Sequence, residues 1–128
     1  MEVSRLLEKS QENEAATDLL AEAGKFHAAT SRAYYAVYQK IIYILECNGK
    51  EVTRVHGRNI SELRNLPKKE GSQKELKKAI RAAKVLKRFR KDCDYSKVTL
   101  MDSLKYETEI SVLAQTAHHI LNNYQDNQ

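Results

Sequence analysis

The chain has no tryptophan, one proline, four glycines and two cysteines in 128 residues. With so few breakers, and with Ala, Leu, Glu, Lys and Arg abundant, helices are the default and no strand pattern stands out. Cys47 and Cys93 are too few for a disulfide framework and lack metal-ligand spacing. They read as reduced, helix-packed thiols, and the expectation is a cytoplasmic protein. No apolar run approaches the roughly 20 residues of a membrane span, and the N-terminus is charged and polar from the start, so neither a membrane contact nor a secretory signal is expected. A Gly-rich phosphate loop, a Ser-His-Asp order, a Cys-x-x-Cys pair and a carboxylate cluster are all missing. No metal and no cofactor is therefore expected.

What is present is sized for one domain, residues 1–128. Five helical segments are marked by their stops. The first runs from about Glu2 to Ala23 and ends at Gly24, and the second from about Lys25 to Cys47, before Asn48-Gly49. A third, shorter segment from about Arg54 to Leu66 is closed by Pro67. Ser72-Gln73-Lys74-Glu75 has the form of a capping box, so the fourth helix should start at Lys74 or one residue earlier and continue to about Tyr95. Thr99 or Asp102 can cap the fifth, where Tyr106, Ile110, Leu113, Ala117, Ile120 and Tyr124 form a seam suited to another helix. The last four residues, 125–128, are polar and should fray. The expected architecture is all-α, an antiparallel four-to-five-helix bundle.

Two stretches carry more chemistry than packing requires. Between Ala28 and Tyr38, small residues (Ala29, Ala33 and Val37 at every fourth position) alternate with Tyr34, Tyr35 and Tyr38, while Arg32 projects with Gln39 and Tyr43 on a separate strip. From Lys68 to Lys91, eleven cations face only Glu70 and Glu75, a local surplus of nine against a whole-chain net charge of +5. Lys77, Arg81, Lys84, Arg88 and Lys91 align in one stripe, which reads either as a solvated helix face or as a track for phosphates. Arg90 breaks the stripe. At about 100° per residue it falls near Ala79, Ala83 and Leu86 on the core side, with Asp94 one turn on. A guanidinium there needs a partner, so Arg90–Asp94 is either a structural pair or the grip on a phosphate.

These pieces, taken in order, resemble the HEPN superfamily, small all-helical domains associated with nucleotides and RNA. Leu6-Leu7-Glu8-Lys9-Ser10, Ala15-Ala16 and Leu19-Leu20 resemble its first helix. Gly24-Lys25-Phe26-His27-Ala28-Ala29, running into Ser31-Arg32-Ala33-Tyr34-Tyr35-Ala36, is similar to its most typical junction. Val55-His56-Gly57 resembles its short histidine segment, and Arg90-Lys91-Asp92-Cys93-Asp94-Tyr95 its Arg-x-x-Ala-Asp-Tyr ending, with Cys93 in the alanine place. The resemblance implies a homodimer, and many members are toxins encoded beside a small nucleotidyltransferase antitoxin. Active members are metal-independent ribonucleases with Arg, four to six residues, then His.

The chain departs from that last pattern. The positions counted from Arg90 hold Tyr95, Ser96 and Lys97, and no other arginine has His27, His56, His118 or His119 at the required distance. The usual acid–base agent is thus missing from the linear motif. His118 and His119 point about 100° apart on a helix, one expected partly buried and the other solvated. His27 reads as local packing. His56, between Arg54 and Arg58, should have its pKa lowered by those cations, as a cap, loop or catalytic residue.

The expected function is that of a nucleotide- or RNA-binding HEPN-like protein, the toxin-type or effector half of a two-component module with a nucleotidyltransferase. Arg32, Arg90, Lys77, Arg81, Lys84 and Arg88 are the binding candidates; Arg90, Asp94 and Tyr95 are the candidates for any catalysis. The alternative is a structural adaptor that docks a helical partner on the Tyr106–Tyr124 seam.

Overall fold

A computed structural model describes residues 3–67, 72–95 and 101–126. Among them there is no strand, and the chain is an up-down-up-down bundle with one short helix inserted. The elements are α1 (Val3–Glu22), α2 (Phe26–Cys47), α3 (His56–Glu62), α4 (Ser72–Tyr95) and α5. α3 continues into a 3-10 turn, Leu63–Asn65, and α5 is the unbroken run Ser103–Lys105, a π-helical turn Tyr106–Ile110 and Ser111–Asp126. The five expected segments and the antiparallel arrangement are thus present. The third helix is shorter than its apolar pattern suggested, because its last turn tightens before Pro67.

Both predicted glycine stops use the same device. Gly24 and Gly49 sit at φ 75° and 70°, a region that costs a side-chain-bearing residue but not glycine. Each closes its helix with paired bonds: Lys25 N–H to Leu20 O (2.8 Å) with Gly24 N–H to Ala21 O (3.0 Å), then Lys50 N–H to Leu45 O (2.9 Å) with Gly49 N–H to Glu46 O (3.1 Å). This is the Schellman closure. α4 begins at Ser72, a residue or two before the expected start, a difference within the normal ambiguity of helix ends. Asp102 does cap α5, its Oδ1 accepting the Lys105 N–H at 2.8 Å; Thr99 lies outside the described residues, as do Lys68, Lys69, Ser96 and Lys97.

α2 is the central helix, in contact with α1, α4 and α5. Tyr34, Ile41, Ile44 and Leu45 on it are fully buried. Ser10 Oγ of α1 donates to Ala36 O at 2.6 Å, so α1 approaches the α2 backbone where the side chain is small. Of the expected α5 seam, Tyr106, Ile110, Ala117, Ile120 and Tyr124 are buried and Leu113 is partly buried. The seam packs into the core of its own chain, and Tyr124 Oη donates to Pro67 O at 2.7 Å. It is therefore not free to dock a partner, which corrects that expectation: a coiled-coil-like pattern cannot by itself distinguish an internal from an external helix. Cys93 is partly buried as expected, whereas Cys47 is exposed at the end of α2. No described helix is long and apolar enough to cross a membrane.

One polar group in this core escaped the sequence pattern. Lys40 is 5% exposed, with Nζ 2.7 Å from His118 Nδ1 and 3.2 Å from Glu14 Oε1. Lys40 is a donor only, so His118 accepts through a bare Nδ1 and must be neutral. Burial, then the Lys40 charge, pushes the imidazole down to about 4, against a smaller opposing pull from Glu14. The Glu14 contact at 3.5 Å is consequently not an ion pair with His118 at neutral pH. His119 is exposed, so the pair divides as expected.

A base neutral in the fold and ordinary when unfolded binds more protons in the unfolded chain between about pH 6.5 and 4. Stability present above that window is lost as pH falls through it. Thermal melts from pH 7 to 4.5 should show a decline in the midpoint that His118→Asn reduces by roughly 5 °C. Parallel declines in the two proteins would refute the assignment.

Candidate functional site

Arg90 lies on the inner side of α4, its side chain 14% exposed, while Lys77, Arg81, Lys84, Arg88 and Lys91 all face solvent. Its Nη1 donates to Asp94 Oδ2 at 3.2 Å across one helical turn. Its guanidinium carbon stands 5.5 Å from the Tyr34 ring centre and 5.4 Å from that of Tyr35. The arginine thus rests in an aromatic cradle supplied by α2, where ring faces attract a cation. Burial alone would lower its pKa, but the Asp94 hydrogen bond and the surrounding Tyr35, Asp94 and Tyr34 prevail and raise it. Among the described residues Asp94 is its one hydrogen-bond acceptor, and Nε is buried with none.

The cradle continues into α3. Tyr38 stacks on His56 with ring centres 4.0 Å apart and an 18° tilt, and Tyr34 stacks on Tyr38 at 5.7 Å. Tyr34 and Tyr38, four residues apart, share a face of α2. Tyr34 Oη and His56 Nδ1 are 2.8 Å apart. Tyr34 is fully buried, which with Tyr38 pushes its pKa up despite Arg90, so the phenol keeps its proton. If the imidazole donated, that proton would be stranded in the core, so Oη–H donates to Nδ1. The tautomer this assigns carries its own proton on Nε2.

Asn59 holds the third tyrosine. Its Nδ2 donates to Tyr38 Oη at 2.7 Å and to Thr53 O at 2.9 Å, while its Oδ1 accepts the Thr53 N–H at 2.9 Å. The loop before α3 is thereby tied to the cradle by a side chain 1% exposed. Nothing in the local pattern marks a buried asparagine, and sequence reading missed it.

The His56 pKa is lowered as expected, but for another reason. Desolvation comes first, then the charges of Arg90 and Lys87 on α4. Arg54 and Arg58, its sequence neighbours, are exposed and are not the cause. A histidine absent from the linear motif is thus brought by the fold to the tyrosines that cradle Arg90, within reach of its charge.

The other candidates separate. Arg32 turns to α1, with Nη1 3.5 Å from Asn13 Oδ1, beside an Asn13–Gln39 hydrogen bond of 2.7 Å. It does not join Arg90 in the cradle, since the two arginines use different faces of α2. Tyr95 is 75% exposed, Asp94 is partly exposed, and His27 is exposed. Among the described residues no group of three His, Cys, Asp or Glu side chains could hold a metal.

A family model described as HEPN domain matches residues 3–126. The chain belongs to the HEPN family. No curated protein and no solved structure matches it significantly. Membership gives this HEPN domain a nucleotide- or RNA-related role in general terms, and the cradle is where its cation, aromatic rings and imidazole converge. By proton NMR, the His56 midpoint should lie below the ordinary 6.5 and rise in Arg90→Gln, with no change in Arg54→Gln. An effect of Arg54 equal to that of Arg90 would overturn the assignment.

Proposed function

We propose that this HEPN domain binds nucleotides or RNA through the cradle of Arg90, Asp94, Tyr35, Tyr38 and His56. One observation carries the reading: a guanidinium held over two aromatic rings with Asp94 its one hydrogen-bond acceptor among the described residues. Such a group grips phosphate oxygens, and partly exposed rings beside it accept a base by stacking. His56 adds an Nε2–H donor in the assigned tautomer. The same tautomer argues for binding over cleavage, because the nitrogen that would act as a base is already occupied by Tyr34. Lys77, Arg81, Lys84 and Arg88 on the outer stripe of α4, with Arg32 across α2, add long-range attraction for polyanions. Arg90→Ala should weaken binding of nucleoside monophosphates by about tenfold or more, roughly 1.4 kcal/mol, measured by titration calorimetry. An unchanged affinity would sink the reading.

The finer role is that of a toxin-type component, dimeric and restrained by a nucleotidyltransferase partner. Tyr95, exposed and adjacent to Asp94, is the hydroxyl such a partner would modify. Leu19, Leu104 and Val112 are large apolar side chains left exposed, and they are available to a second copy. The expected phenotype is growth arrest on expression, relieved by Arg90→Ala at equal protein level. Harmless expression of the parent protein would rule the toxin role out.

A further inference from the structure

Beside the cradle runs an open groove. Its walls are the turn after α2, with Lys50 and Glu51, then α3 and its 3-10 turn, with Arg58, Glu62 and Arg64, and Lys84 of α4. Four cations thus face two carboxylates, and Glu62 already accepts a hydrogen bond from Asn65 Nδ2 at 3.2 Å. Among the described residues none of the four cations is held in an ion pair. Gly57 lines the floor, and a side chain built there would meet nothing within 4 Å, so the concavity is open to a ligand.

Two observations tie this groove to the cradle. Val55, Gly57 and Asn59 line it, so the groove reaches the two neighbours of His56 in the chain and the asparagine that holds Tyr38. On α4, Arg90, Lys87 and Lys84 follow at three-residue intervals, each step about 4.5 Å along the axis and about 60° around it, and Lys84 at the end of the series lines the groove. Lys87 is half-buried and near enough to act on His56. Lys87 therefore stands on α4 between Arg90 at the notch and Lys84 in the groove lining. Among the described residues of α4, Lys84 alone lines it; Lys77, Arg81, Lys87, Arg88, Arg90 and Lys91 do not.

We propose that the groove is the track for a single-stranded polynucleotide, one nucleotide of which occupies the cradle. Its phosphodiesters run from Arg90 past Lys87 to Lys84, with Arg58 and Arg64 on the facing wall. The inference rests on the nucleotide reading of the cradle and extends it from a monomer to a strand. A duplex is excluded as the ligand because its paired and stacked bases cannot enter an aromatic notch. A cationic groove that tracks the backbone, next to rings that stack a base, is the general chemistry of single-strand binding.

The test uses the whole chain, with uridine 5′-monophosphate and with a uridylate dinucleotide, tetramer and octamer. The octamer should bind about tenfold or more tighter than the monophosphate at low salt, with each neutralised phosphate adding about −0.7 to the slope of log affinity against log salt. In Arg58→Ala/Arg64→Ala/Lys84→Ala the octamer-to-monophosphate ratio should collapse and the octamer slope flatten by about 2. The charge-matched Arg5→Ala/Lys9→Ala/Lys25→Ala variant should keep the ratio. An octamer no tighter than the monophosphate in the parent protein removes the track, whatever the variants do, and leaves the cradle reading standing. A ratio that survives the groove triple also removes the track. Failure of both ligands to bind removes the track and the cradle reading together.

Discussion

A guanidinium withdrawn from water has to be compensated on every side, and Arg90 governs the arrangement of this bundle's polar notch for that reason. One side is met by Asp94 on its own helix, and two are met by the rings of Tyr34 and Tyr35. Those rings must then be held in place. Tyr34 is held by the core and by His56, and Tyr38 by His56 and Asn59. The first turn of the short helix α3 supplies both anchoring residues. The proposed grip on an anion would draw on the same contacts that hold the notch together.

The scaffold was legible because it is set by local signals. Glycine stops at 24 and 49, the cap at Asp102 and the apolar spacing of α5 each depend on residues within a few positions of one another. Arg90 was legible on the same basis, since its phase on α4 follows from helical geometry alone. The approach of His56 to the same tyrosines as Arg90 was not, because it joins α3 to α4 through rings of α2. Adjacent cations at 54 and 58 offered a plausible local cause for a lowered imidazole pKa, yet those side chains point to solvent and the acting charges come from α4. Asn59 and Lys40 were invisible for a related reason. A buried polar residue is licensed by partners distant in sequence, and nothing nearby announces them. Arg32 misled in the opposite sense, since its place in the tyrosine-rich stretch suggested proximity to Arg90 while its phase on α2 turned it to α1.

Among the described residues, buried Lys40 and largely enclosed Arg90 illustrate different solutions to one problem. Lys40 is enclosed with a neutral imidazole and a half-exposed carboxylate, and its Nζ is committed inside the protein. Arg90 is enclosed with rings, which compensate charge without consuming donors. Only the second solution leaves hydrogen-bonding capacity for something else. That contrast, more than the number of cations on α4, separates a structural charge from one able to act on a ligand.

Tyr34 has no exposed surface, yet it touches both Arg90 and His56. It couples the interior of the bundle to the notch like a shared wall between two rooms. Any occupant that draws the guanidinium against its ring will also tighten the packing of the central helix, and the effect will be felt as resistance to heat and slower amide exchange along α2. Conversely, loosening the interior at this point will blur the notch before the bundle itself comes apart.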